Sequence, residues 1–271
     1  MPLAPRSVIL LAALSVGLSA CASSYSGGAP AGPAPAISMA KEPPNPDPRV
    51  GLAAGRYNAA QAFWNLRMLS TTPSPSPFDE NTNSDLAFTG NYAIQGNYNG
   101  FVIWDISNPS RPRVTLPYLC PASQSDVSVY GNLLFVSAEG LTGRVDCGTQ
   151  GVPDPVSAER VRGVRIFDIS DIRNPRYITN VQTCRGSHTH TVVSDPNDAA
   201  HVYIYISGSS RVRSSEELPG CLDAPQSDPN TALFRIEVIK VPLANPAAAQ
   251  IVSGARIFEG LTAPPRRTQP V

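Results

Sequence analysis

Short runs of β-branched and aromatic residues recur along the middle of this chain, each bounded by Gly, Asn or Pro. In residues 163–193 (GVRIFDISDIRNPRYITNVQTCRGSHTHTVV), Val164, Ile166 and Ile169 mark one strand. Tyr177, Ile178 and Val181 mark a second, with Asn174-Pro175 at the turn between them; a cysteine and two histidines follow. Residues 100–129 (GFVIWDISNPSRPRVTLPYLCPASQSDVSV) carry the strand, the turn, the second strand and the cysteine in the same order. A strand-turn-strand unit that returns along a chain denotes a repeat architecture, because one such unit cannot bury its apolar face alone.

Extended in both directions, the pattern predicts four short strands per unit. The first unit has strands near 86–90, 91–95, 101–106 and 113–116, and the second near 127–131, 132–136, 164–169 and 176–179. The third is looser, with strands near 191–193, 202–206, 233–239 and 249–252. Asn108-Pro109, Asn174-Pro175 and Asn245-Pro246 punctuate the units at matching places. Lys240 stands where Asp105 and Asp168 precede that turn, so the last turn is expected to differ. Tyr203 and Tyr205 read as packing residues. Ahead of the repeats, 57–64 reads as a short helix and 65–71 as a strand; one amphipathic helix over 57–69 is the alternative. Four short strands with Gly, Asn and Pro turns form the pattern of a propeller blade.

The stretches GFVIWDISNP and GVRIFDISDIRNP resemble the LVIVD repeat of bacterial secreted and surface proteins. Gly90-Asn91 and Gly131-Asn132, each leading into a strand, fit the same repeat. The resemblance covers about 83–258. It implies an all-β fold of β-propeller blades, each of four antiparallel strands, with about three blades and therefore an incomplete ring. Further blades in a longer chain, or partners, are expected to complete it. The expected strand over 65–71 would then serve as the outermost strand of a final blade. An open terminal face predicts association.

The ends of the chain suggest an address. Residues 1–20 read as a lipoprotein signal peptide: Arg6 precedes the apolar run SVILLAALSVGL, too short to span a bilayer as a helix. Leu18-Ser19-Ala20-Cys21 resembles the bacterial lipobox, which makes Cys21 the expected lipidation site; an ordinary signal peptide cut after Ala20 is the alternative. Ala22 follows rather than Asp, which favours the outer membrane or cell surface. Residues 21–48 form a Pro/Ala/Gly-rich tether, 49–82 an N-terminal segment, 83–258 the repeats and 259–271 a disordered tail. Lys+Arg and Asp+Glu are both 21, so no basic field exists to hold nucleic acid. The expected partners are the membrane, through the lipid anchor, and an unknown protein or saccharide ligand.

Four cysteines remain. Cys120 and Cys184 each follow a fourth strand, whereas Cys147 and Cys221 each lie in a long insertion between second and third strands. In a four-stranded meander those connections emerge on one rim, so repeat equivalence pairs Cys120 with Cys147 and Cys184 with Cys221. A four-thiolate zinc site is the alternative, without any C-x-x-C pair to support it. Arg211, Arg213, Glu216 and Glu217 in the second insertion read as a solvated loop.

Aligning the units on Cys120 and Cys184 equates Asp126 with His190, and aligning Gly90 with Gly131 adds Asp85. Each unit then offers a polar side chain where its innermost strand begins, at the channel mouth. His188 shares a strand face with His190. One reading is a metal centre of His188, His190, Asp126 and Asp85 holding a divalent transition metal such as zinc, iron or copper. The other has these groups hydrogen-bonding exposed amides. No nucleophile elbow, P-loop or H-E-x-x-H motif is present, and no catalytic residue is assigned. The expected function is a lipid-anchored, extracytoplasmic binding or scaffold module. The alternative is a metal-dependent oxidoreductase or hydrolase around His188 and His190.

Overall fold

Period-two alternation gives each apolar run two usable faces, and in this chain the middle strands of the first two sheets are buried on both. The computed structural model describes residues 39–55, 58–258 and 260. The signal peptide, Cys21, the first part of the tether and nearly all of the expected tail lie outside the described residues. Twelve strands form among those described: β1 (Asn83–Thr89), β2 (Tyr92–Asn97), β3 (Gly100–Asp105), β4 (Arg113–Leu119), β5 (Val127–Tyr130), β6 (Leu133–Ala138), β7 (Gly163–Asp168), β8 (Arg176–Gln182), β9 (Thr189–Val193), β10 (His201–Ser207), β11 (Arg235–Pro242) and β12 (Gln250–Arg256). They make three antiparallel sheets in chain order, β1 to β4, β5 to β8 and β9 to β12. Each is built as a propeller-type blade, and all twelve strands predicted for the repeats are present. Among the described residues no helix is long and apolar enough to cross a membrane.

The blades share local irregularities as well as strand order. A register shift falls between Ile103 and Trp104, Ile166 and Phe167, and Val238 and Ile239, the same place in each third strand. A bulge adds twist and re-aims the strand that follows. Asp105 and Asp168 then accept the Ser107 and Ser170 amides, each at 2.9 Å, closing the turn to the outer strand. Lys240 cannot accept such a bond, and a single 3₁₀ turn at Pro246–Ala248 intervenes in the third blade instead.

Packing is between blades. Ile94, Phe101 and Ile103 of the first meet Val127, Leu134, Val136 and Phe167 of the second. Leu133, Phe135, Val164 and Ile166 of the second meet Val202, Ile204, Ile206 and Ile239 of the third. Behind the first blade, Phe78 of the N-terminal segment packs on Ala93, Val102 and Trp104 and is only 1% exposed. Asn97 fastens it by donating to the Phe78 carbonyl at 3.1 Å. In front of the third blade none of the described residues is packed. There Tyr205, in the place held by Ile94 and Phe135 in the other blades, is 43% exposed, contrary to its reading as a packing residue.

Two expectations ahead of the repeats fail. Residues 58–64 form no helix and 65–71 form no strand. Leu66 and Leu69 are exposed, so neither face of this stretch is drawn onto a sheet. Its link to the first blade is a hydrogen bond from the Ser70 hydroxyl to the Pro109 carbonyl at 2.8 Å.

Gly163 has φ +151°, and a Cβ there would sit 1.9 Å from the Val181 carbonyl oxygen on the neighbouring strand. At Gly90, φ is +53° and a Cβ would meet open space. Gly163→Ala should therefore cost more than about 4 kcal/mol in chemical denaturation, and Gly90→Ala about 1–2 kcal/mol.

Candidate functional site

Links within a meander alternate between its two ends, so the long insertions after β6 and after β10 share a rim with the β4–β5 and β8–β9 connections. Two disulfides fasten this rim. Cys120 is bonded to Cys147 and Cys184 to Cys221, each tying the end of one blade to the insertion of the next, as repeat equivalence required.

The inner strands meet at this rim through a repeated clasp. Asp85 Oδ2 accepts the Val127 amide at 3.3 Å, and Asp126 Oδ2 accepts the His190 amide at 2.9 Å. Each carboxylate thus takes an N–H from the next blade's inner strand. Equating Asp126 with His190 therefore needs correction. Val127 pairs with Val136, which lies across from Arg165; His190 pairs with Ile206, which lies across from Glu237. Arg165 and Glu237 each stand two residues into their third strands, so His190 holds the place of Val127, and Thr189 that of Asp126. The cysteine is what moved: Cys120 directly follows β4, whereas Thr183 separates Cys184 from β8. A one-residue difference reverses the face a side chain occupies. The His190 ring accordingly turns back onto the second blade. Its Nδ1 lies 3.2 Å from Asp126 Oδ2 and 2.8 Å from the Ser137 hydroxyl, which in turn bonds Ser187 at 2.7 Å.

This geometry splits the two neighbouring carboxyls. Burial raises the Asp85 carboxyl, and the adjacent Asp126 charge adds to the effect against amide bonds from Leu86 and Val127. Burial pushes Asp126 the same way, but hydrogen bonds from the His190 ring and amide outweigh it and hold it below the usual carboxylate range.

His188 belongs to a separate group. Its Nδ1 is 2.5 Å from Glu139 Oε1, and the Ser209 hydroxyl bridges it at 3.1 Å to Glu139 Oε2 at 3.0 Å. Three segments meet there because two glycines let them. A Cβ on Gly186 would lie 2.6 Å from the Glu139 Cβ, and one on Gly208 would lie 2.6 Å from the Gly186 carbonyl oxygen. The four expected metal ligands thus do not form one set. Asp85, Asp126 and His190 are joined by hydrogen bonds that occupy Nδ1, and His188 is paired elsewhere. Among the described residues no group of three or more His, Cys, Asp or Glu side chains is placed to hold a metal ion. The residues present do not fit the shared centre expected.

The solvated loop is corrected at two of its four residues, Arg211 and Glu216 being exposed as expected. Arg213 is buried, and the Glu217 side chain is 2% exposed, paired with Arg213 at 2.6 Å and with Arg160. Arg165 is fully buried, donating to the carbonyls of Cys120 at 3.1 Å, Pro121 at 3.2 Å and Arg144 at 2.8 Å. It ties the end of the first blade to the second. Its place in GVRIFD, a charge inside an apolar strand, was the one sequence signal for it. Glu139, Ser137 and Ser187 carried none. On the opposite rim, a cleft of about 390 Å³ between the second and third blades is lined by Tyr130, Asp168, Arg176 and Leu243. Asp168 and Arg176 already pair there at 3.0 Å.

Sheets of this order, joined by a repeated clasp and stapled along one rim, define a β-propeller-type repeat module. Residues 82–119, the whole first blade, match the family described as LVIVD repeat. No curated protein matches the chain.

Because the Asp126 carboxyl is depressed in the folded state, its contribution is full above about pH 4 and lost as pH falls through the lowered value. Asp85 works the other way: raised, it favours folding below about pH 4 and loses that effect as pH rises. Asp126→Asn should remove the stability gained as pH rises toward about 4, read from denaturation midpoints on the acid side of that value. Asp85→Asn should leave that acid-side rise in place.

Proposed function

We propose that this chain is a lipid-anchored, extracytoplasmic propeller-type module that binds a protein or saccharide ligand through the rim bearing its insertions. The observation that carries this reading is the pair of insertions, each fastened by a disulfide to the blade before it. Disulfides persist in oxidising compartments outside the cytoplasm. Held loops on a rigid scaffold are a common form of binding surface, because ordering them beforehand lowers the entropy cost of association. The lipobox-like residues ending at Cys21 and the Pro/Ala/Gly-rich stretch after it support a tether that carries the blades clear of a membrane. No connection between strands on the opposite rim exceeds seven residues, which leaves the insertion rim as the elaborated one.

Two measurements test the two halves of this reading. Metabolic labelling with a fatty acid should mark the wild-type chain and lose the mark in Cys21→Ser; equal labelling would defeat the anchor. On a glycan and surface-extract array, replacing 141–159 and 211–231 by short Gly-Asn turns should abolish capture. Undiminished capture by that variant would remove the rim from consideration.

A further inference from the structure

The two insertions meet over a cluster of guanidinium groups. Arg160, Arg162 and Arg213 are all buried, and one carboxylate, Glu217, stands among them. Glu217 is fully engaged. Its Oε1 accepts Arg213 Nε at 2.7 Å, and its Oε2 accepts Arg160 Nη1 and the Ser157 amide, the latter at 3.2 Å. Arg160 directs its other N–H groups to the carbonyls of Leu141, Val152, Asp154 and Pro155. Arg213 reaches the Gln182 side chain at 2.5 Å.

Arg162 is placed differently. It is 3% exposed, yet of its guanidinium nitrogens only Nη2 donates to a partner among the described residues, the Arg211 main-chain carbonyl. Its Nε is buried without any acceptor. The next carboxylate to act on it, Glu139, is already held by His188 and Ser209. Three guanidinium groups therefore face one saturated carboxylate. Water could satisfy the idle N–H groups but not the charge, and a buried cation without a counter-charge is strongly unfavourable. Arg165 also keeps a buried Nε without an acceptor and is brought down to about 10 by burial, but its Nη1 and Nη2 donate to three carbonyls where Arg162 reaches one. Burial, with the neighbouring Arg213 cation adding to it, brings Arg162 down to about 10, the direction expected for a cation held without a partner.

We propose that Arg162 is the centre of an anion-binding site between the two insertions, taking a carboxylate, phosphate or sulfate group. The planar guanidinium fork suits such oxyanions better than any other side chain. Both walls are fixed: Arg160 and Arg162 lead into β7, and Arg211 and Arg213 belong to the insertion held by Cys221. The site deepens the binding-module reading and rests on the insertion rim being the surface that meets ligand. It specifies that the ligand is acidic.

The test titrates the full chain with inorganic phosphate and follows the melting temperature, against sodium chloride at equal ionic strength. Wild type should rise by a few degrees at about tenfold over the dissociation constant. Arg162→Gln should lose the phosphate-specific rise, Arg162→Lys should keep a weakened one, and Arg173→Gln, exposed in the β7–β8 turn on the opposite rim, should keep it in full. No rise beyond chloride in wild type overturns the site, as does a full rise in Arg162→Gln with both disulfides formed. Should Arg162→Gln not fold, an undiminished response in Arg162→Lys overturns it instead. Capture of a rim ligand without any phosphate response would sink the anion site alone and leave the binding module standing.

Discussion

A sheet that is apolar on both faces cannot stand by itself in water, so everything in this molecule depends on what covers each face. Phe78 covers the back of the first blade, each blade covers the one before it, and the sequence of contacts runs in one direction. Burying an aliphatic or aromatic side chain contributes about 1.5–3 kcal/mol. A junction built from Ile94, Phe101, Ile103, Leu134 and Phe167 outweighs any single polar contact across it. The polar contacts act differently, by choosing the register. The Asp85 and Asp126 clasps and the Arg165 bridge each join a defined atom of one blade to a defined atom of the next.

Most of the fold was legible because it is local. Period-two alternation, Asn-Pro turns and Gly-Asn pairs are short-range signals, and all twelve strands follow from them. The stretch over 65–71 misled because alternation between Leu66 and Met68 makes a strand only when it pairs with a sheet edge, and this stretch pairs with none of the three sheets. The site was legible in part. Cys120 with Cys147, and Cys184 with Cys221, follow from repeat equivalence alone. The convergence of Asp85, Asp126 and His190 was also foreseen, but by an alignment one residue out. Cysteine positions are set by where a loop can be reached, strand positions by hydrogen-bond pairing, and the two need not advance together. That single step turns His190 from a neighbour of Asp126 into its partner.

Buried charge was the least legible feature. Arg160, Arg162, Arg213 and Glu217 lie in stretches rich in Pro, Ser and Asp, which read as solvated. Their burial arises from two insertions closing on each other, and no periodicity records a contact between residues 57 apart. Arg165 could have been found, since a lone cation in the middle of GVRIFD has to be answered by acceptors. The same physics connects these residues to a ligand. A whole-chain charge of zero conceals a rim where positive groups outnumber the carboxylates available to them.

The plug at Phe78 has a consequence for how the chain reaches its native state. Chains emerge from synthesis N-terminus first. Residue 78 precedes every strand, so the lid for the first blade exists before the blade does, and that sheet has one face sheltered as soon as it forms. Later sheets find a finished template ahead of them. Assembly can then proceed as an ordered accretion from a sealed start, with exposed surface confined to the growing front.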